Sequence, residues 1–254
     1  MREMIREKLH EIESRENVRI LHAVESGSRA WGFASPDSDY DVRFIYVREP
    51  SFYLRLEKTR DVIEWQLDET LDINGWDLQK ALRLLHDSNP TLFEWTSSPI
   101  VYQTTKDWEK LSACFPDYFL SRSGVYHYLH MADGNYREYL KRDVVRVKKY
   151  LYVLRPMLAC KWILEKQTPP PMRFADLVQA EADDSLAQEI ARLLEIKVNA
   201  PETEELPQIE PLNRYIEETL PLLKAQADAL SSVMAAGYER LNQLFLDVLF
   251  AKPQ

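Results

Sequence analysis

Residues 25–47 read ESGSRAWGFASPDSDYDVRFIYV, and within them Asp37, Asp39 and Asp41 stand two apart, directly ahead of an apolar and aromatic run. Alternate residues of a strand share a face, and like charges held that close repel unless a cation lies among them. The stretch is therefore either a solvated turn or a cation site. Ser35, Pro36, Asp37 and Ser38 have ordinary turn chemistry, and Asp37 reads as a turn residue. Asp41 does not, because it lies between Tyr40 and Val42 in a β-forming run, where aspartate is disfavoured. A calcium loop is excluded: its sixth position would be Val42 instead of glycine, and its twelfth Arg48 instead of glutamate.

What remains is a two-metal site. Gly27 and Ser28 fall in the turn after a strand, some eleven residues ahead of Asp39. Glycine lets backbone amides approach phosphate oxygens, and the serine hydroxyl adds a donor. Two carboxylates on one strand face hold two Mg²⁺ ions about 3.5–4 Å apart.

The bulk composition is that of an ordinary globular chain and excludes several other classes. The 254 residues suffice for one large domain or two modest ones. A chain with 45% hydrophobic and 29% charged residues is globular, not disordered. A net charge of −9 excludes nonspecific coating of nucleic acid, so any nucleotide contact must come from a local basic patch or from metal ions. Cys114 and Cys160 stand without a CxxC or Cys/His cluster and read as free thiols in a reducing compartment. His10, His22, His86, His127 and His130 show no ligand spacing, and no nucleophile–base triad is legible. With no leader pattern and no apolar run near the roughly 18 residues of a membrane span, the expectation is a soluble cytoplasmic protein without a membrane partner.

Periodicity predicts a helix over 2–15, strands over 18–25 and 40–47, and a turn at SGSRAWGF between them. Residues 61–67 and 71–75 read as paired strands across the polar turn DET. WDLQKALRLLHDS reads as an amphipathic helix with Asp77 near its first turn, and NPTLFEWTSSPIVY as a short helix followed by a strand or loop. Beyond about residue 115 helical signals dominate. Leu140, Val144, Val147, Leu151, Leu154 and Leu158 predict one long apolar stripe, kinked at Pro156. QTPPPMRF reads as a stiff loop, SLAQEIARLLEIK as a helix and NAPETEELPQIEP as an acidic linker, with one or two further helices after it.

The Gly-Ser pair, the spacer and Asp-x-Asp flanked by apolar residues resemble the signature of the DNA polymerase β-type nucleotidyltransferase superfamily. Together with LDINGWDLQKALRLLHDSNPTLFEWTSSPIVY and YLYVLRPMLACKWILEKQTPPPMRF, residues 25–47 resemble its bacterial RNA-repair-pathway branch, over roughly residues 15–250. The resemblance implies an α+β fold. A palm-like nucleotidyltransferase domain with a mixed sheet would occupy 1–115 and a helical domain 116–254. It also implies transfer of a nucleotide from an NTP to an acceptor hydroxyl, an RNA end, dependent on Mg²⁺ or Mn²⁺ and releasing pyrophosphate. The rival readings are nucleotidylation of a protein or small molecule, and an inactive nucleotide- or RNA-binding module. The intact set Gly27, Ser28, Asp39 and Asp41 argues against the last, because an idle site has no need of repelling carboxylates.

The superfamily requires a third carboxylate on a later strand. Asp68 belongs to the polar turn and Asp77 reads as a helix N-terminal residue. Asp72, between Leu71 and Ile73, has the strand context, so it is expected to ligate the catalytic metal and help remove the acceptor's proton. Arg29 follows Ser28 and is a candidate phosphate contact. Arg43 shares the carboxylate face, and a structural ion pair is its first reading. Glu25 is expected at most to orient the loop, Gly32 to supply a bend, and Trp31 and Phe33 to be core. The one strong basic run is YREYLKRDVVRVKKYLYVLRP. Its Arg142, Arg146 and Lys149, spaced four and three, are expected on one helical face for triphosphate or RNA, with Lys148, Tyr139 and Tyr150 beside them.

Overall fold

The computed structural model describes residues 1–67, 70–199, 204–231 and 236–251. Along the chain run α1 (Arg2–Glu16), β1 (Val18–Glu25), α2 (Gly27–Trp31), β2 (Tyr40–Arg48), α3 (Pro50–Tyr53), β3 (Val62–Leu67), β4 (Leu71–Asp77), α4 (Leu78–His86), α5 (Pro90–Thr96), β5 (Val101–Thr104) and α6 (Lys106–Ser112). They are followed by α7 (Ser121–Asn135), a π-turn over Tyr136–Leu140, β6 (Val144–Arg146), α8 (Val147–Lys166), α9 (Phe174–Glu181), α10 (Asp184–Asn199), β7 (Glu205–Pro207), α11 (Glu210–Ala229) and α12 (Glu239–Leu249). The architecture is α+β with a mixed sheet and a helical C-terminal region.

The chain divides into two compact units. The first comprises Met1–Gly27, Asp39–Tyr118 and the described C-terminal residues 236–251. The second comprises Ser28–Ser38 and the described residues 119–231. The main division thus falls after Tyr118, and each unit also holds a segment from the other side of it.

In the first unit, five strands of the described residues form one sheet in the order β3-β4-β2-β1-β5. Only β2 and β4 pair in parallel; β1 with β2, β1 with β5 and β3 with β4 are antiparallel. Ile5, Leu9 and Ile12 of α1 are fully buried with Ile20, Val42, Phe44, Tyr46 and Ile73 of the sheet, because their spacing puts them on one helical face. Leu78, Ala81, Leu82 and Leu85 do the same for α4, which lies against β2 and β4. Asp77 starts α4 as its N-cap, its carboxylate accepting the Gln79 N–H at 2.8 Å, a contact worth about 1 kcal/mol.

In the second unit α7, α8, α9 and α11 pack together around Val125, Leu129, Leu151, Leu154, Leu158 and Ile216. Phe33 is buried in this core and Trp31 packs against it, as expected of core aromatics. Cys160 and, in the first unit, Cys114 are buried free thiols. No helix among the described residues is long and apolar enough to cross a membrane.

Three local expectations are corrected. SGSRAWGF is not a plain turn, since Gly27–Trp31 forms a short helix, entered at Gly27 with φ +57° and left at Gly32 with φ +88°. The stripe from Leu140 to Leu158 is not one helix. Leu140 ends the π-turn, Val144 is exposed on β6 and α8 starts only at Val147. The acidic linker holds β7, which pairs antiparallel with β6, Val145 opposite Leu206. Neither three-residue strand has enough length to show a period; each exists because the other lies beside it.

Candidate active site

The parallel register of β2 and β4 sets Asp41 opposite Asp72. Residues paired in this way point to the same face, and Arg43, two further along β2, shares that face. Its guanidinium binds both carboxylates: Nη2 donates to Asp41 Oδ1 at 2.9 Å and to Asp72 Oδ2 at 2.6 Å. Nη1 donates to the carbonyls of Asp72 at 2.9 Å and Val42 at 3.1 Å. Two carboxylates thus converge on one positive group, the role a divalent cation takes between such a pair. The pair fits a metal ion by this measure. Among the described residues no three His, Cys, Asp or Glu side chains stand together as a complete metal site. Asp39 lies one residue ahead of β2 and is exposed.

The backbone under Asp41 is fixed by Glu25, which is fully buried at the end of β1. Glu25 Oε1 accepts the Asp41 N–H at 2.7 Å, and its other oxygen accepts the Tyr102 hydroxyl. A buried carboxylate is tolerated only with such partners. Burial first, and then the hydrogen bond and charge of Glu25, push the Tyr102 hydroxyl far above the ordinary tyrosine range, so it stays a donor. The Ser98 hydroxyl donates to the Glu25 carbonyl at 2.6 Å. Glu25 thus orients the strand of the site, a larger part than its sequence context suggests. The signal was its place at the end of a buried strand. Tyr102 gave none, because only the pairing of β1 with β5 brings it there.

Gly27 lies against the Asp41 carboxylate. Its φ is +57°, and a Cβ there would come within 1.9 Å of Asp41 Oδ2. The Asp41 carbonyl accepts the Ser26 N–H at 2.8 Å, holding the turn on β2. No other residue type leaves that space open.

Ser28 and Arg29 follow in the chain and belong to the second unit. The Ser28 carbonyl accepts the N–H groups of Gly32 and Phe33, and Arg29 Nη2 donates to the Ser38 carbonyl at 2.5 Å. Asp37 is exposed in the turn that Ser35 and Ser38 close. Asp77 is buried, its second oxygen accepting the Tyr53 hydroxyl at 2.8 Å, and burial raises its pKa. One oxygen caps the start of α4 and the other is tied to Tyr53 of α3. Asp68 lies outside the described residues.

Arg142, Arg146 and Lys149 do not share a helical face, since they come from the loop after the π-turn, from β6 and from the first turn of α8. They nevertheless line one cavity of the second unit, with Lys148 and Tyr139. Tyr150 does not join them. It is fully buried, donating to Asn213 Oδ1 at 2.6 Å and accepting the Ile209 N–H at 2.8 Å.

Comparison with known proteins adds three findings. The model of the RNA repair pathway DNA polymerase beta family matches residues 1–247. The Bacillus subtilis (strain 168) protein YcgL, described as uncharacterized, is 43% identical over 251 residues, which span 98% of this chain and 96% of YcgL. The crystal structure of a nucleotidyltransferase-like protein from Exiguobacterium sibiricum 255-15 aligns with 89% of this chain and 75% of its own, at 18% identity and a TM-score of 0.33.

Proposed function

The chain belongs to the RNA repair pathway DNA polymerase beta family, and from that premise we propose that it is a metal-dependent nucleotidyltransferase acting from an NTP on an acceptor hydroxyl at an RNA end. One observation carries the reading: Asp41 and Asp72, on neighbouring parallel strands, share one cationic group, with Gly27 against the first of them.

In this reading Asp41 and Asp72, with Asp39 at the mouth of β2, hold Mg²⁺ or Mn²⁺. The ion, when bound, supplies positive charge to the triphosphate and lowers the pKa of the attacking hydroxyl. Gly27 leaves room for the Asp41 carboxylate, and Gly27, Ser28 and Arg29 are assigned to phosphate oxygens by the spacing of the motif. The acceptor oxygen forms a bond to the α-phosphorus. The bond from that phosphorus to the oxygen bridging to the β-phosphate breaks, and pyrophosphate leaves with the electron pair. The carboxylate of Asp72 takes the hydroxyl proton. Glu25 keeps Asp41 in place by holding its N–H, so the site is preorganised before substrate arrives.

The test is to incubate the protein with each α-labelled NTP, Mg²⁺ or Mn²⁺, RNA oligomers and cell lysate, beside an Asp39→Ala/Asp41→Ala control. Label on RNA that is lost in the control supports the reading. Label on a protein band or a small molecule moves the acceptor to those classes. NTP binding without transfer to anything leaves the chain a binding module.

A further inference from the structure

The segment that follows Gly27 is anchored in the helical unit by aromatic rings and by buried polar side chains. Phe33 meets Phe174 of α9 edge-on, with ring centroids 5.6 Å apart, and Trp31 meets Tyr152 of α8 at 5.9 Å. Beyond these rings the chain turns at Ser35–Ser38. The Ser38 N–H donates to the Ser35 carbonyl at 3.1 Å, and Ser38 Oγ accepts the Ser35 N–H at 3.1 Å. The two hydroxyls lie 3.1 Å apart. Both serines are buried, and so is Lys197 near the end of α10, only 2% exposed, whose ammonium donates to Ser35 Oγ.

Burial alone does not ask for a lysine at that position. Leu186, Ile190 and Leu193 precede Lys197 on the buried face of α10, and an aliphatic side chain at 197 would continue their stripe. Moving an ammonium out of water carries a large desolvation penalty before any partner offsets it. What the lysine adds is direction, because a hydrogen bond fixes an oxygen in a way that apolar packing does not. Ser38, the partner of Ser35, gives its carbonyl to Arg29 Nη2. The connection therefore runs from α10 to the arginine that follows Ser28: Lys197 to Ser35, Ser35 to Ser38, Ser38 to Arg29. All four residues lie in the second unit.

We propose that Lys197 is a positioning residue for nucleotide binding, holding Arg29 through Ser35 and Ser38 in the place from which it meets the phosphates of the NTP. The proposal rests on the phosphate contact assigned above to Arg29. Lys197 acts through Ser35 and needs no contact with substrate. A guanidinium held before the nucleotide arrives has less freedom to lose on binding. Loosening it weakens the grip on substrate and leaves the chemical step at the carboxylates nearly unaltered.

The experiment compares Lys197→Met, Ser35→Ala and the double variant with the parent, in transfer kinetics and in Mn²⁺-dependent binding of a fluorescent ATP analogue. Methionine fills the space of the lysine stem without the donor. Each single variant is expected to raise the KM for NTP and the Kd of the analogue about tenfold, with kcat within about threefold of the parent. The double variant should add less than about twofold to that, because both changes break one connection. Ile190→Val loosens the same helix at a buried position and should lower the melting temperature without moving KM. Hydrogen exchange without NTP or metal supplies a readout independent of activity. The Ser38 amide, bonded to the Ser35 carbonyl, should exchange about tenfold faster in Lys197→Met. Faster exchange beside a parent that neither binds nor transfers NTP would overturn the transferase reading and uphold the anchoring of the segment. Unchanged exchange at Ser38 would overturn the proposal. So would an unchanged KM in Lys197→Met, or additive losses in the double variant, which would show that Lys197 does not act through Ser35.

Discussion

Asp41 and Asp72 stand opposite each other across β2 and β4, and the guanidinium of Arg43 bonds to both. Arg43 therefore occupies the charge position that a metal ion would need. Arg43→Gln removes the competitor and leaves two carboxylates facing each other. Mn²⁺ should bind on the order of tenfold more tightly to the variant in a calorimetric titration, and its melting temperature without metal should fall and recover when Mn²⁺ is added. Equal affinity in the two proteins would show that the guanidinium and the ion do not compete.

Gly27→Ala places a methyl group where Asp41 Oδ2 now sits and demands a left-handed backbone at alanine. The backbone strain costs about 1–2 kcal/mol, which is small beside the displacement of a carboxylate by an ångström or more. Transfer activity should fall about 100-fold while the protein still melts cooperatively. Activity within a factor of two of the parent would mean that Asp41 does not have to stay where it is.

Asp72 and Asp77, five residues apart, are separable by mutation. Asp72→Asn should lower turnover about 100-fold or more with little change in stability. Asp77→Ala removes the cap of α4 and orphans the Tyr53 hydroxyl, at a cost of about 2–3 kcal/mol. Its turnover per folded molecule should be unchanged. Denaturation curves read beside single-turnover rates check both halves, and the reverse pattern would make Asp77 the third carboxylate.

His22 is buried on β1 opposite Thr104 of β5, stacked on Trp108 at 4.7 Å, with Nδ1 3.2 Å from Thr104 Oγ1. Burial lowers its pKa to about 4. The unfolded chain, with an ordinary histidine near 6.5, binds the proton more readily than the folded one. Stability from this group is complete above pH 6.5 and is lost as pH falls towards 4. At pH 4.5 the loss is roughly 2–3 kcal/mol. His22→Phe keeps the stacking and removes the titration, so its stability should fall less between pH 7 and 4.5, as urea denaturation will show.

The sequence was most informative where periods are long or residue chemistry is unusual. The alternation of β1 and β2, the amphipathic spacing of α4 and the misplaced aspartate at 41 are visible in short windows. So is the strand context of Asp72 beside Leu71 and Ile73. Arg43 could be placed on the carboxylate face, but its bond to Asp72 required the parallel register of two strands some 30 residues apart. The basic cavity shows the same limit. Its members were named from one run, yet they meet through β6, β7 and a π-turn, none of which has a local signature. Helical spacing brought Arg142, Arg146 and Lys149 together for the wrong geometric reason.

The Ser28–Ser38 segment buries Phe33 in the helical core, while α12 lies with the sheet, Val248 accepting from Arg19 and Phe245 meeting the Tyr53 ring. On the ribosome the sheet is begun first, but it waits for α12, which is made only after the whole helical unit. The nascent chain therefore cannot complete its two units in order of synthesis. Translation would carry an unfinished sheet unit past the helical one, and the contacts of α12 with Arg19 and Tyr53 would form only late in synthesis.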